Sequence, residues 1–457
     1  MSEFSVNGQH VVVIGAARSG VAAAELLRGR GARVTLTDAR QTFDEADRLR
    51  AAGVELDLGG HSDDVFSHAD LIVLSPGVPF DLPSLERVRR AGVPVIGELE
   101  LAWRWLRGRV IAITGTKGKS TTTTLTGRML QAAGLPAVVG GNIGTALSAQ
   151  VEASTPETLH VVEASSFQLE AADTFHPWIA VLMNFSADHL DRHGTLDAYG
   201  AAKARIFANQ TPGDWAVINA DDPRAVALAH GARAARFDFS RQGRIERGIA
   251  VEDQSIVRRE GGLSETLLPL SSIRLIGPHL VDDVLAAAAV GSLAGVPADV
   301  MRRAIEEFQG LEHALELAGE IGGVQFVNDS KATNIEAAKR SLESFESGVV
   351  AIVGGRFKGG DFRDLRDAMS RATAVVAIGE SKGLVREALG DRLPVHDAAT
   401  MRDAVHAAFT AAAPGGVVLL APACASFDMF SDYAERGRVF KEEVRRLGQE
   451  WGTQREQ

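Results

Sequence analysis

The chain reads as an α/β protein built from three successive units, each an open and mainly parallel sheet. Three observations predict this. Its 457 residues favour about three domains at roughly 150 residues apiece. Short, mainly apolar runs recur where alternating ones would mark a sheet with one wet face, so the strands read as buried on both sides. Alanine-rich helical stretches separate those runs, which is the strand–helix–strand rhythm of parallel sheets.

The first unit opens with a strand at 10–14, His-Val-Val-Val-Ile. A glycine-bounded turn, Gly15-Ala-Ala-Arg-Ser-Gly20, leads into a helix over 21–28. Strands at 32–37, ending at Asp38, and at 70–74, stopping at Ser75-Pro-Gly77, complete a unit that closes near Gly97. The second unit has strands at 109–114, 159–163, 179–183 and 215–219, and a helix over 196–208. Residues 232–275 carry short alternating pieces with many charges and glycines, and read as a small β insertion. The third unit begins near Leu311, with strands at 324–328, 348–353, 374–378 and 416–421. The expected domains are therefore 1–97, 98–310 and 311–457.

Composition excludes several classes. With 23% charged and 45% broadly hydrophobic residues, the chain is not fibrous, collagen-like or disordered. Its 48 Lys and Arg against 59 Asp and Glu leave −11 at pH 7, which disfavours nucleic acid or an anionic membrane as the main partner but permits a local basic pocket. The single cysteine, Cys424, excludes an intrachain disulfide and reads as a small buried hydrophobe. The start, Met1-Ser-Glu-Phe-Ser-Val-Asn-Gly, lacks the basic and apolar regions of a secretory signal, and no apolar run is long enough to cross a bilayer. A cytoplasmic location is expected.

The most informative stretch is Ala112-Ile-Thr-Gly-Thr-Lys-Gly-Lys-Ser-Thr121. Glycines let consecutive N–H groups turn toward phosphate oxygens, the following helix presents its positive end, and Lys119 adds a full charge. Ser120 supplies a hydroxyl for Mg²⁺. The full phosphate-loop pattern wants glycine where this chain has Ile113, but the context, a β-run feeding a helix, is the confirming one. Gly15-Ala-Ala-Arg-Ser-Gly20 is weaker, because a dinucleotide fingerprint needs glycine at Ala17. It reads as a nucleotide site or a tight βα turn, with Asp38 as a ribose acceptor or an ordinary strand-end carboxylate.

Further blocks extend these motifs: Gly140-Gly-Asn-Ile-Gly144, Glu163-Ala-Ser-Ser-Phe-Gln-Leu-Glu170, Asn184-Phe-Ser-Ala-Asp-His-Leu-Asp191, Tyr199-Gly-Ala-Ala-Lys-Ala-Arg-Ile206, Asn219-Ala-Asp-Asp-Pro223, Asn328-Asp-Ser-Lys-Ala-Thr-Asn334 and Pro422-Ala-Cys-Ala-Ser-Phe-Asp428. Together with Gly115-Thr-Lys-Gly-Lys-Ser-Thr121 they resemble, over nearly the whole chain, the Mur ligases that add amino acids to the peptidoglycan precursor. Ser-Ser-Phe-Gln-Leu-Glu, Asn-Asp-Ser-Lys-Ala-Thr-Asn and Pro-Ala-Cys-Ala-Ser are most similar to the glutamate-adding members. The diaminopimelate-adding relative carries Asp-Asn-Pro-Arg in its last domain, whereas the nearest phrase here is Asp221-Asp-Pro-Arg224 in the middle unit.

The resemblance implies a Rossmann-like N-terminal domain for a UDP-sugar, a central P-loop-type ATPase domain with a mainly parallel sheet, and a Rossmann-like C-terminal domain for the amino acid. It implies an ATP-dependent, ADP-forming ligase that adds D-glutamate to UDP-N-acetylmuramoyl-L-alanine through an acyl phosphate. A monomer is expected, as is closure of the domains on binding. Two anions must meet in the first step, so Mg²⁺ and lysines are needed inside an acidic protein.

Site roles follow from the same resemblance, residue by residue. Gly115, Thr116, Lys117, Gly118, Lys119, Ser120 and Thr121 meet ATP, with Asp329 and Lys331 from the third domain. Ser120, Glu163, His189 and Lys203, the last as a CO₂-derived carbamate, hold two Mg²⁺ ions, and Asp188 belongs to the same site by position. Lys119, His189 and Lys203 are the expected catalytic groups. Ala17, Arg18, Ser19, Asp38, Ser75, Gly77, Asn142 and Gln168 meet the UDP-substrate, and Ser165 is a polar neighbour. Thr333, Lys358, Ser426, Phe427 and Tyr433 meet glutamate. On chemistry alone Lys203 would be a solvated helix lysine.

Three departures stand out. The family usually has asparagine where this chain has Leu280 and Asp283, after Gly277-Pro-His279, and arginine where it has Ala314. A methyl group does not replace a guanidinium, so the contacts to adenine and γ-phosphate are expected to differ, with Arg356 as a compensating charge. Competing readings are a folate-polyglutamate ligase, a nicotinamide oxidoreductase and a nucleotide-binding regulator without chemistry. The Asp38 pocket and Lys358 oppose the first, Ala17 and the phosphate loop the second, and the joint presence of Lys119, Glu163, His189 and Lys203 the third.

Overall fold

The computed structural model describes residues 4–61, 63–80, 82–243, 245–273 and 279–455. Of the residues named above, 1–3, 244, 274, 275, 277 and 278 lie outside these. Five parallel strands form the N-terminal sheet: β1 (His10–Ile14), β2 (Arg33–Asp38), β3 (Glu55–Leu58), β4 (Leu71–Leu74) and β5 (Val95–Gly97), in the order β3-β2-β1-β4-β5. The unbroken apolar run of β1 is explained by its two faces. Val11 and Val13 pack into one core with Val34 and Leu36, while Val12 and Ile14 pack into another with Ile72 and Leu74.

Nine strands form the central sheet: β6 (Arg109–Thr114), β7 (Ala137–Gly141), β8 (Leu159–Glu163), β9 (Ile179–Leu182), β10 (Trp215–Asn219), β11 (Ala235–Ser240), β12 (Gly248–Glu252), β13 (Ser255–Glu260) and β14 (Leu263–Pro269). Their order is β14-β13-β12-β11-β10-β9-β6-β8-β7. The pairs from β7 through β12 are parallel and the last two antiparallel. The described part of 232–275 is therefore β, as its alternation implies, but it is not a separate module. It extends the central sheet edge from β10.

Strand order decides where the site forms. Neighbours of β6 run away from it on both sides, β8 then β7 one way and β9 then β10 the other, so the carboxyl ends of β6, β8 and β9 meet at a switch point. The C-terminal sheet repeats the device with β15 (Glu316–Ile321), β16 (Val324–Asn328), β17 (Val349–Gly354), β18 (Ala372–Ile378), β19 (Val395–Asp397) and β20 (Val417–Leu420), ordered β15-β16-β20-β17-β18-β19. Only β15 is antiparallel to its neighbour.

The described residues fall into two compact units, one holding the N-terminal and central sheets and the other the C-terminal sheet. Within the first unit, the helix Glu98–Trp103 ties sheet to sheet. Leu99, Leu101 and Ala102 are fully buried. The Glu100 carboxylate accepts hydrogen bonds from the backbone N–H groups of Asp173, Thr174 and Phe175 at 2.9–3.0 Å, and pairs with Arg104 at 2.9 Å. Burial alone would raise its pKa, but these donors, with the Thr174 hydroxyl, lower it overall.

Candidate functional site

The phosphate loop leaves β6 and enters the helix Lys119–Ala132, with Gly118 as its N-cap in the left-handed region at φ 81°. A Cβ on Gly118 would lie 2.0 Å from Asp283 Oδ1, so glycine is required there both by conformation and by space. The segment after β9 holds the loop from the other side. Thr116 N–H donates to Asn184 O at 3.1 Å, and Lys117 N–H to Asn184 Oδ1 at 2.9 Å. Lys119 Nζ folds back on Thr116 O at 3.0 Å.

Glu163, at the end of β8, is 2% exposed. Its Oε2 accepts from Ser120 Oγ at 2.6 Å and its Oε1 from Asn142 Nδ2 at 2.7 Å. The Asn142 carbonyl in turn accepts from Arg18 Nη2 at 3.0 Å, which joins the central site to the N-terminal sheet. Thus Ser120, Glu163, Asn142 and Arg18, distant in sequence, form one hydrogen-bonded line.

Lys203 is 1% exposed, against its expectation as a solvated helix lysine. It lies on the helix Leu196–Ala204, which is shorter than the stretch read from sequence and passes into a 3₁₀ turn at Arg205–Phe207. Its Nζ donates to Gly115 O at 2.7 Å and sits 4.6 Å from the centre of the Tyr199 ring. Burial, then the Lys119 charge, lowers its amine to about 7, against the attraction of Asp188 and Glu163. His189, at φ 51°, rests on Phe167 at 5.0 Å, and its N–H bonds Asp188 Oδ1 at 3.0 Å. Among the described residues no group of three or more His, Cys, Asp or Glu side chains is placed to hold a metal ion. Ser120 and Glu163 are brought together, and Lys203 adds an anionic oxygen donor only as a carbamate. Their oxygen chemistry fits a hard cation such as Mg²⁺.

On the N-terminal side, the turn after β1 caps the helix Arg18–Gly29 at Ala17. Gly20 is required there, because a Cβ would lie 1.8 Å from Gly15 O. Ala17 and Arg18 line an open cleft of about 470 Å³ with Arg40, Thr42 and Phe43, within the size range of small-molecule sites. Asp38, at the end of β2, accepts from Ala16 N–H at 2.6 Å and pairs with Arg40 at 3.0 Å. Burial opposes its ionisation, but Arg40 and the two backbone donors bring its carboxyl down to about 2. Ser19 is buried on the first turn of that helix, and Ser75 Oγ donates to Gly15 O at 2.9 Å. Gly77 lies in the turn after β4, open to an added Cβ. Gln168 caps its helix with Ser165 and lines a small cavity with Ser75 and Glu98. Glu98 Oε2 and Gln168 Nε2 are both buried there without a hydrogen-bond partner among the described residues.

In the C-terminal unit, Asp329, Lys331 and Thr333 follow β16, Ser426 follows β20, and Lys358 follows β17. Lys358 Nζ reaches Thr333 Oγ1 at 3.4 Å. Ser426 Oγ is buried without a partner among the described residues, while Phe427 and Tyr433 are exposed. Asp329 accepts from Ser341 Oγ and from Leu315 N–H, and burial, opposed by these bonds and Lys331, raises its carboxyl to about 6. Ala314 lies between His313 and Leu315, both at positive φ. Arg356 does not supply the missing charge freely, since it is paired with Glu380 at 3.2 Å.

Sequence reasoning missed two contacts of this kind. Arg40, two residues after Asp38, was legible only as a near neighbour. Asp283 departs from the family pattern in sequence, and only the fold shows it packed on Gly118. It is 2% exposed, and burial, then the charge of Asp282, pushes its carboxyl well above the ordinary range, against a hydrogen bond from Thr121 and the charge of Lys119. Leu280 is in the first turn of the same helix, His279–Leu293.

The chain matches three family models: the MurD-like N-terminal domain over 9–97, the Mur ligase middle domain over 113–291 and the Mur ligase glutamate ligase domain over 315–424. It is 47% identical over 445 residues to the UDP-N-acetylmuramoylalanine–D-glutamate ligase of Acidobacterium capsulatum, covering 96% of each chain. The enzymes of the same name from Koribacter versatilis (43%, 97% of this chain and 99% of that one) and Pelotomaculum thermopropionicum (44%, 95% and 97%) are also similar. Among solved structures, the fold is like that of UDP-N-acetylmuramate-alanine ligase MurC from Thermotoga maritima, at a TM-score of 0.57 and 19% identity over 96% of this chain and 100% of that one. A pseudomurein peptide ligase type C from Methanothermus fervidus gives the same TM-score at 17% identity, with the same shares covered.

Proposed function

Since the chain belongs to the Mur ligase family, we propose that it joins D-glutamate to the alanine carboxylate of UDP-N-acetylmuramoyl-L-alanine at the expense of ATP, in peptidoglycan precursor synthesis. The observation that carries this reading is the line Arg18–Asn142–Glu163–Ser120, which connects the N-terminal cleft to the phosphate loop within hydrogen-bonding distance. A phosphorylated acceptor needs these two sites side by side. The proposed domains are 1–97 for the UDP-sugar, 98–310 for ATP and Mg²⁺, and 311–457 for the amino acid.

In this reading the loop N–H groups from Gly115 to Thr121, the helix end and Lys119 hold the triphosphate. Ser120 and Glu163 would hold Mg²⁺, and His189 with the Lys203 carbamate a second ion, and such cations would neutralise charge on the phosphate oxygens. Arg18, Asn142 and Gln168 orient the acceptor, with Ala17, Ser19, Asp38, Ser75 and Gly77 around its nucleotide end. An alanine carboxylate oxygen attacks the γ-phosphorus and ADP leaves. The glutamate amine then attacks the acyl carbon, loses a proton, and inorganic phosphate departs. Lys358 and Thr333 meet the glutamate carboxylate, with Ser426, Phe427 and Tyr433 around it, while Asp329 and Lys331 serve the nucleotide and the transferred phosphate.

Among the described residues no helix is long and apolar enough to cross a membrane. A cytoplasmic, monomeric enzyme is part of the proposal. The test is phosphate release from ATP and Mg²⁺ with UDP-N-acetylmuramoyl-L-alanine and each enantiomer of glutamate. Release that depends on both the acceptor and D-glutamate supports the reading. Release independent of both would sink it.

A further inference from the structure

Arg436 is the largest side chain buried to less than 2% in the described protein, and it carries a charge. Long cations are almost never fully buried without a paired anion. Here the guanidinium donates to three neutral oxygens: Nε to Ser330 Oγ at 2.9 Å, Nη2 to Ser330 O at 2.9 Å, and Nη1 to Cys424 O at 3.1 Å. Burial lowers it to about 10, opposed by Cys424 and Asp428. Its Nη1 also lies 3.4 Å from where a Cβ on Gly355 would stand.

The hydrogen bonds join two segments, and the guanidinium lies beside a third where Gly355 has no Cβ; each of the three follows one of three adjacent strands. Ser330 follows β16, Cys424 follows β20 and Gly355 follows β17, the strands ordered β16-β20-β17 in the sheet. Each segment carries residues assigned above to the amino-acid pocket: Thr333 on the first, Ser426 on the second, Lys358 on the third. Ser330 Oγ passes the tie on by donating to Tyr433 O at 2.7 Å. A planar fork of fixed geometry can bridge two backbones in this way, where a compact ammonium does not match the spacing.

We propose that Arg436 is the positioning residue of the amino-acid pocket, tying the loops after β16 and β20 together beside the loop after β17 so that Thr333, Ser426 and Lys358 face one substrate. The guanidinium itself does not touch the substrate. The inference rests on the reading of that pocket as the glutamate site, which wild-type turnover dependent on D-glutamate tests separately.

The experiment compares wild type, Arg436→Lys and Arg436→Met, varying each substrate in turn, with circular dichroism and melting curves confirming folded protein at the assay temperature. Loss of two or three charge-assisted hydrogen bonds should raise the KM for glutamate by about ten- to a hundredfold. The KM for the UDP-substrate, held by the other unit, should stay within about twofold. Arg436→Lys keeps the charge but not the fork, so it should share the defect. Millimolar guanidinium should restore part of the activity of Arg436→Met and none of that of wild type. If Arg436→Met is unfolded, Arg436→Lys alone carries the comparison. An unchanged KM for glutamate with only a lower melting temperature would overturn the inference, as would an equal rise for all three substrates.

Discussion

Gly118→Ala probes how the phosphate loop is shaped by the helix behind it. The new Cβ sits at φ 81°, where a non-glycine residue costs roughly 1–2 kcal/mol. It also falls 2.0 Å from Asp283 Oδ1 and 3.0 Å from its Cγ. Asp283 is buried and cannot swing into water, so overpacking adds about 1–3 kcal/mol. The loop relieves this by leaving the conformation that points its N–H groups at phosphate. Nucleotide binding must then restore it, and a total of roughly 2–5 kcal/mol corresponds to a loss of affinity of about thirtyfold to a few thousandfold. Calorimetric titration with Mg-ADP on wild type, Gly118→Ala, Asp283→Ala and the double variant separates the two causes. With Asp283 truncated, only the backbone cost should persist, leaving about a tenfold effect. The reasoning is refuted if the two single effects add within about 0.5 kcal/mol, or if Gly118→Ala binds nucleotide like wild type.

Other consequences are equally direct. With an amine lowered to about 7, Lys203 is half neutral at that pH, whereas an ordinary lysine is neutral in roughly one molecule of 2,500. At a constant concentration of dissolved ¹³CO₂, label should therefore appear on Lys203 as a carbamate, with a rate that climbs with pH and levels off above about 7; protein without label at pH 8 would contradict it. Glu163→Gln should leave the fold intact but raise the Mg²⁺ needed for half-maximal turnover by about tenfold or more, and an unchanged Mg²⁺ curve would remove Glu163 from the metal site. Glu100 has a folded pKa below its unfolded value, so its stabilisation is fully present above about pH 4.3 and is lost as pH falls through the lowered folded value. Glu100→Gln should cost roughly 1–3 kcal/mol near pH 7, with its melting curves converging on wild type in acid; a constant offset at every pH would show that the charge is irrelevant.

Much of the architecture was legible in single segments. Strands β1, β6, β8, β10 and β16 begin and end where their mainly apolar runs do, because a strand covered on both faces is mainly apolar rather than alternating. Shorter or more polar strands escaped. Residues 55–58 are partly exposed, 95–97 are only three long, and 137–141 end in two glycines that read as motif. The same limit made 232–275 look like an insertion, since alternation reveals strand but not the sheet it joins.

For the site, the sequence by itself determined the chemical inventory. A glycine-bounded loop with Lys119 and Ser120 between strand and helix can do little else but face phosphate, because its backbone donors and its charge are local properties of those residues. Only the tertiary structure decided which groups act together. It brought Glu163 to Ser120 and Asn142, buried Lys203 against Gly115 so that its amine loses its proton near neutrality, and placed Asp283 where Gly118 has no Cβ. It also turned Arg436, one arginine among several on the helix Tyr433–Arg455, into a tie between two strand ends. Burial and charge proximity are set by strand order, and strand order is a relation between segments that no single segment carries.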